Sequence, residues 1–305
     1  MNFKSATVLL FLAALWGGSF LFIRVGVVDF GPFPLMALRV SIASLCLIVV
    51  LAFNGGFRGF RQHAWPLLVV GVLNSAAPFC LFAVAEQTLN AGLTSVINAT
   101  SPLWGALVAY LWFGERLTRG RSAGLVLGFA GVVLLVWKQI AAAPVTIPAM
   151  SPWHTALAAS AALCATLLYG IAVNYAKRNL SGVPPLQVAT GSMVGAAFVL
   201  MPLAALSWPS TPISAQAWWS VIVMGIACTA VAYVMYYWLL THAGPAFAIS
   251  VTFLVPIFGI LWGALFLHES VSSTLLGGGV LVLIGTGLAT GLLQKSLARR
   301  SVGPA

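Results

Sequence analysis

The chain reads as long apolar blocks with brief interruptions by charge, Pro, Gly or Asn. The blocks fall at 5–24, 33–53, 65–85, 91–112, 122–140, 153–175, 185–206, 218–240, 246–266 and 272–293. About 20 apolar residues carry a helix across a bilayer, so each block predicts one transmembrane helix. The predicted fold is all-α, a polytopic membrane protein of ten transmembrane helices joined by short loops.

Composition removes the other broad classes. Of 305 residues, 61% are hydrophobic and 6% charged, whereas about 25% charged is usual for a soluble domain. The net charge of +10 comes in ones and twos between apolar runs. No basic patch forms, and no nucleic-acid partner is expected. The four cysteines, Cys46, Cys80, Cys164 and Cys228, stand apart inside apolar blocks and signal neither disulfides nor a zinc site. No metal and no cofactor are expected. The lipid bilayer is the expected surroundings, and the sequence leaves the oligomeric state open. The first block after Lys4 resembles a signal peptide, but no soluble domain follows it, so it reads as an uncleaved first span.

Lys and Arg in the loops orient the bundle. With the amino terminus in the cytoplasm, that side holds Lys4, Arg58, Arg61, Arg116, Arg119, Arg121, Lys177, Arg178, Lys295, Arg299 and Arg300. The other side holds Arg24 and Lys138, and Arg39 lies within a span. Both termini are therefore expected in the cytoplasm.

A shift of 154 residues aligns Trp65 with Trp219, Gly71 with Gly225, Pro102 with Pro256, Gly105 with Gly259, Glu115 with Glu269, Gly124 with Gly278 and Gly131 with Gly285. Near the start of each half a shift of 153 adds Gly17 with Gly170. Ten spans and one repeat give five spans per half. Because five is odd, the second half enters the membrane inverted. The expected division is a first repeat over 1–140, a linker at 141–152, a second repeat over 153–293 and a cytoplasmic tail at 294–305. Inverted repeats suit secondary transporters, whose halves can exchange conformations; a duplication kept only for packing is the alternative.

These residues resemble the drug/metabolite transporter superfamily, EamA-type. The resemblance rests on Trp16-Gly17, the Pro34 to Arg39 stretch, Pro102 followed by Gly114-Glu115, and Pro256 followed by His268-Glu269. It implies a bacterial inner (plasma) membrane carrier. The aromatic-rich interior is most similar to the YddG-type exporters of aromatic amino acids and related metabolites. Ser192 stands opposite Arg39, and His268 replaces the equivalent of Gly114, so the halves are chemically unequal.

Buried polar groups in a bilayer need a partner or a water-lined cavity. Trp16 and Ser19 in helix 1, Asn74, Pro78 and Phe82 at four-residue spacing in helix 3, and Asn98 and Ser101 in helix 4 form one candidate set. Tyr169 in helix 6, Tyr233, Tyr236 and Tyr237 in helix 8 and Thr252 in helix 9 complete it. Together they predict an aromatic-walled pocket for a small molecule with a flat apolar body and a polar head, such as an aromatic or large neutral amino acid. The plain alternative is helix–helix packing. Pro102 and Pro256 are candidate gating kinks. Arg39 is either a contact for a substrate carboxylate or a structural clamp on helix carbonyls or Glu86. None of the four acidic residues falls at mid-span; Glu86 is the nearest candidate proton site, and facilitated movement or exchange stands beside proton coupling.

The function expected is a secondary transporter that exports amino acids or similar small metabolites, with multidrug efflux as the rival carrier. An intramembrane enzyme lacks support, since HExxH, GxSxG and paired carboxylates are absent. A channel lacks the expected rings of charge or carbonyl loops.

Overall fold

The computed structural model describes residues 3–54, 56–57, 59–141 and 151–291. Most of the expected linker and all of the expected tail lie outside them, as do Arg58, Lys295, Arg299 and Arg300. Among the described residues the chain forms apolar helices and no strand. The spans are α1 (Phe3–Phe30), α2 (Pro32–Phe53), α3 (Arg61–Glu86), α4 (Ala91–Phe113), α5 (Arg119–Ala141), α6 (Pro152–Asn179), α7 (Pro185–Leu206), α8 (Ala215–His242), α9 (Pro245–Phe266) and α10 (Ser273–Ala289). The first nine are long and apolar enough to cross a membrane. With 17 residues, α10 reaches about 25 Å at 1.5 Å per residue.

Local chemistry sets the ends. Asn90, Ser151, Ser214 and Ser272 each accept a hydrogen bond from the third residue beyond them, which starts α4, α6, α8 and α10. Nothing stops α1 until Gly31, whose φ of 71° favours glycine. That corrects the expected end of the first span at residue 24: the helix continues through Val25–Phe30, so Arg24 lies inside α1 rather than at its end.

The two halves pack by matched contacts. Where α1 crosses α9, a Cβ on Gly17 would strike Phe258 and Gly259; where α6 crosses α4, one on Gly170 would strike Trp104 and Gly105. Those two sets are repeat mates. Gly71 of α3 lies on Ser192 and Ala196 of α7, and its mate Gly225 of α8 lies on Arg39 and Ile42 of α2. Between α5 and α10, Gly124 and Gly131 face Gly285 and Gly278. Small residues let membrane helices approach this closely. The repeat also reaches into backbone geometry. One π-helical turn widens α3 at Val72–Ala76, and another widens α8 at Ile226–Val231, starting 154 residues later.

The start of α3 packs on the end of α6 through Leu67, Val70, Tyr175, Ala176 and Leu180, and their mates, α1 and the first half of α8, lie side by side along a longer contact. The end carrying Arg61 and Lys177 is called here the Lys/Arg-rich end, and the other the far end.

Candidate functional site: a central cavity

Between the halves lies a cavity of about 380 Å³, within the range of small-molecule pockets. One wall is aromatic. Trp16 of α1 packs on Tyr236 of α8 with ring centroids 5.3 Å apart, and Tyr233 stacks on Tyr237 at 6.1 Å. Phe82 of α3 meets Tyr169 of α6 at 6.0 Å. The cavity runs on past Val70, Ala176 and Val188, near the Lys/Arg-rich ends of α3, α6 and α7. It opens there.

Polar groups punctuate that wall. Asn74 donates its amide N–H to the Tyr233 hydroxyl at 3.1 Å. Asn98, Ser101 and Thr252 line the cavity from the two discontinuous helices. In α4 the helix breaks at Ala99–Thr100, and the freed Ala99 carbonyl accepts from Thr286 of α10 at 3.0 Å. Such a break is tolerated at membrane depth because it is buried in protein and borders a cavity.

Arg39 brings the one charge among the described lining residues. Its side chain is 5% exposed, and its guanidinium carbon sits 3.9 Å from the centre of the Phe79 ring. Nε donates to Thr229 Oγ1 at 2.9 Å, and Nη2 reaches Ser19 Oγ at 3.4 Å. The Thr229 hydroxyl in turn donates to the Met224 carbonyl at 2.9 Å, five residues back across the π turn. That bond fixes the hydroxyl with a lone pair toward Arg39. No carboxylate pairs with the guanidinium; among the described residues the one ion pair joins Lys177 and Glu115 at 2.9 Å.

Comparison with known proteins gives this architecture a family. The profile of the EamA-like transporter family matches residues 4–137 and again 156–291. The chain belongs to the EamA-like transporter family. Its relatives include YoaV, an uncharacterized transporter of Bacillus subtilis (strain 168), 22% identical over 89% of this chain and 91% of that one. A probable terminal-alkyne amino-acid exporter of Streptantibioticus cattleyicolor is 25% identical, covering 97% of this chain and 96% of that one. A solved crystal structure 21% identical, covering 96% of this chain and 99% of that one, superposes with a TM-score of 0.67, a likeness of fold alone.

Within this EamA-like bundle, eleven of the twelve residues expected at the pocket line one cavity. Pro78 does not. It is buried in the wall of α3, because the π turn before it adds a residue and rotates the helix, bringing Phe79 round instead. Phe79 and Thr229 had escaped the sequence reading, whereas Cys228, the repeat mate of Asn74, was expected beside it and lines the cavity. The repeat held the signal for Thr229, which is the mate of Ser75. Pro102 sits in the first turn after the break in α4, and Pro256 lies inside α9 six residues beyond an irregular turn at Ser250. Glu86 is fully buried one turn beyond Phe82, outside the cavity lining, with no donor to either carboxylate oxygen among the described residues. Arg24 donates to its backbone carbonyl. The expected clamp of Arg39 on Glu86 or on helix carbonyls is replaced by hydroxyl contacts, since Ser19 and Thr229 lie nearer.

The far end is held by more than packing. Glu269, just past α9, accepts from the backbone N–H of Ala91 at 2.8 Å and of Gly92 at 3.1 Å, at the start of α4. Asp29 of α1 accepts from Ser214 N–H at 2.9 Å. Phe30 meets Trp218 edge-on at 5.0 Å. At the Lys/Arg-rich end the mate of Glu269, Glu115, instead bonds Lys177, and that bond holds its carboxyl below the usual range.

Proposed function

We propose that this EamA-like transporter exports amino acids, aromatic or large neutral, or closely similar metabolites, by alternating access around the central cavity. Both termini lie in the cytoplasm of a bacterial inner membrane, and the small molecule enters from the Lys/Arg-rich end. One observation carries the reading: an aromatic-walled cavity lies between two halves built from matched, inverted contacts, with a hydrogen-bonded clasp at the far end. Exchange of the two half-conformations presents the cavity to each side in turn. The amino-acid exporter among the relatives supports the substrate class, and the flat rings of Trp16 and Tyr236 suit an apolar body.

Counterflow in proteoliposomes tests this. Vesicles preloaded with unlabelled Trp, Phe, Tyr, Met or Thr should take up the labelled molecule faster than empty ones, with saturation. Flux that neither saturates nor responds to preloading refutes a carrier. In the same assay Pro102→Ala and Pro256→Ala should slow exchange while the protein still reaches the membrane, if the breaks act as hinges. Wild-type rates in both would remove the prolines from gating.

A further inference from the structure

We propose that the cavity is selective for organic monoanions, with a carboxylate held by Arg39 and a flat apolar body held by the aromatic wall. This rests on the reading of the cavity as the substrate site, and among the amino acids and similar metabolites named there it ranks carboxylates that carry no ammonium ahead of the amino acids themselves.

The charges of the cavity lead there. Its lining includes no Asp, Glu, Lys or His among the described residues, and Arg39 is its single cation. A guanidinium has five N–H donors and stays charged. Thr229 and Ser19 occupy two of them, the second through a long 3.4 Å contact, and both partners are neutral hydroxyls. With no carboxylate in contact, its neutral hydroxyl partners offset the desolvation of that charge only in part, and Glu86 acts on it from beyond hydrogen-bond reach. The Phe79 face and the Nε bond to Thr229 pin the fork in one orientation. A planar fork so fixed is matched to bidentate capture of a carboxylate.

The pseudo-symmetry sets the valence. The position opposite Arg39 in the second half is Ser192, whose hydroxyl is turned to the Ala189 carbonyl, so the site holds one positive charge rather than two. A zwitterion satisfies Arg39 but leaves its ammonium to neutral oxygens and ring faces. An amine without a carboxylate finds no counter-charge and is repelled by the guanidinium. The expected order is anion first, zwitterion second, cation last, which sets this cavity against the efflux of organic cations.

Three ligands sharing one ring and one chain isolate the charge: 3-phenylpropanoate, L-phenylalanine and 2-phenylethylamine. Their binding to the purified full chain is measured by calorimetry, with quenching of tryptophan fluorescence as a second readout. We expect 3-phenylpropanoate to bind at least tenfold tighter than 2-phenylethylamine, with L-phenylalanine between. Arg39→Gln should weaken 3-phenylpropanoate at least tenfold and shrink its advantage over the amine below threefold. Equal or tighter binding of the amine to the wild type overturns the proposal, and that comparison needs no variant to fold. So does an unchanged advantage in Arg39→Gln. If none of the three binds while counterflow of another metabolite is seen, the anion class is wrong and the transport reading stands. If counterflow also fails, both fall.

Discussion

Replacing Glu269 with Gln removes the charge from the clasp that holds the far end shut. Both carboxylate oxygens accept backbone N–H groups of the first turn of α4, and Gly263 leaves room for the carboxylate beside α9. A hydrogen bond to a charged group contributes about 1.5–3 kcal/mol, and a negative charge at a helix N-terminus about 0.3–1 kcal/mol more. Gln keeps the shape and one acceptor but sets an amide NH2 against a backbone N–H. The closed end therefore loses about 2–3 kcal/mol. With the far end open, the same side chain faces water and has no clasp to lose. The open-to-closed ratio should rise roughly 30- to 150-fold. The readout is alkylation of Asn98→Cys by a membrane-impermeant thiol reagent, in a chain whose four native cysteines are replaced with Ala, from either face of oriented vesicles. The parent should react from the Lys/Arg-rich end, and Glu269→Gln should raise the rate from the far end at least tenfold. Glu115→Gln is the contrast: its bond to Lys177 is 44% exposed on the Glu115 side, and such pairs contribute about 0–1 kcal/mol. A far-end rate in Glu269→Gln within twofold of the parent refutes the clasp.

Three further outcomes follow from the same geometry. A Cβ on Gly259 would collide with the Ser95 side chain, whereas one on its mate Gly105 meets only Val173 at 3.7 Å; Gly259→Ala should lower thermal stability by about 1–3 kcal/mol and Gly105→Ala by under about 0.5, read from melting of the purified protein. Gly114 and His268 both end their helices in the left-handed region, at φ of 64° and 54°, so Gly114→Ala should destabilise by about 1–2 kcal/mol while His268→Gly leaves the melting point unchanged or higher. If Glu86 carries protons, an imposed pH gradient should accelerate wild-type flux and leave Glu86→Gln unaffected; equal responses in the two would exclude that role.

Much of the bundle was legible in the chain because a bilayer leaves little choice. Apolar blocks must become helices, and the Trp, Pro and Glu residues recurring at one offset declare the inverted repeat. The cavity was legible for a related reason: Asn74, Asn98, Ser101 and the tyrosines of α8 are polar or amphipathic groups with no place in lipid. What was lost came from backbone detail. Four-residue spacing assumes an unbroken α-helix, and the π turn at Val72–Ala76 breaks that assumption just before Pro78, handing its place to Phe79. Helix ends with no stop signal were lost as well, so Arg24 was read as the end of the first span although α1 runs on to Phe30 and holds it against the Glu86 carbonyl. Pairings across the bundle, such as Arg39 with Thr229, depend on which helices touch, and spacing along one helix does not contain that.

The near-symmetry of the sequence also explains why this structure is not symmetric. At the far end the clasp needs two backbone N–H groups, a capping Asn90, and a gap beside Glu269. The mates at the Lys/Arg-rich end are Pro245 and Ala246, Gly244, and Ala109 in place of Gly263. Pro245 has no N–H to give, Gly244 has no side chain to cap the helix, and Ala109 carries a methyl group where Gly263 has none. Glu115 therefore has no equivalent seat and turns to Lys177. On the alternating access proposed above, the mirror state forfeits a clasp worth about 2–3 kcal/mol, and the empty bundle should rest with its far end shut. A ligand moves such an equilibrium only by its difference in affinity for the two states. For the export proposed above, that places the work on the substrate: contacts with Arg39 and the rings of α1 and α8 must tighten as the halves rock over it. On that proposal an empty carrier should rest with its far end shut and cross once it is filled.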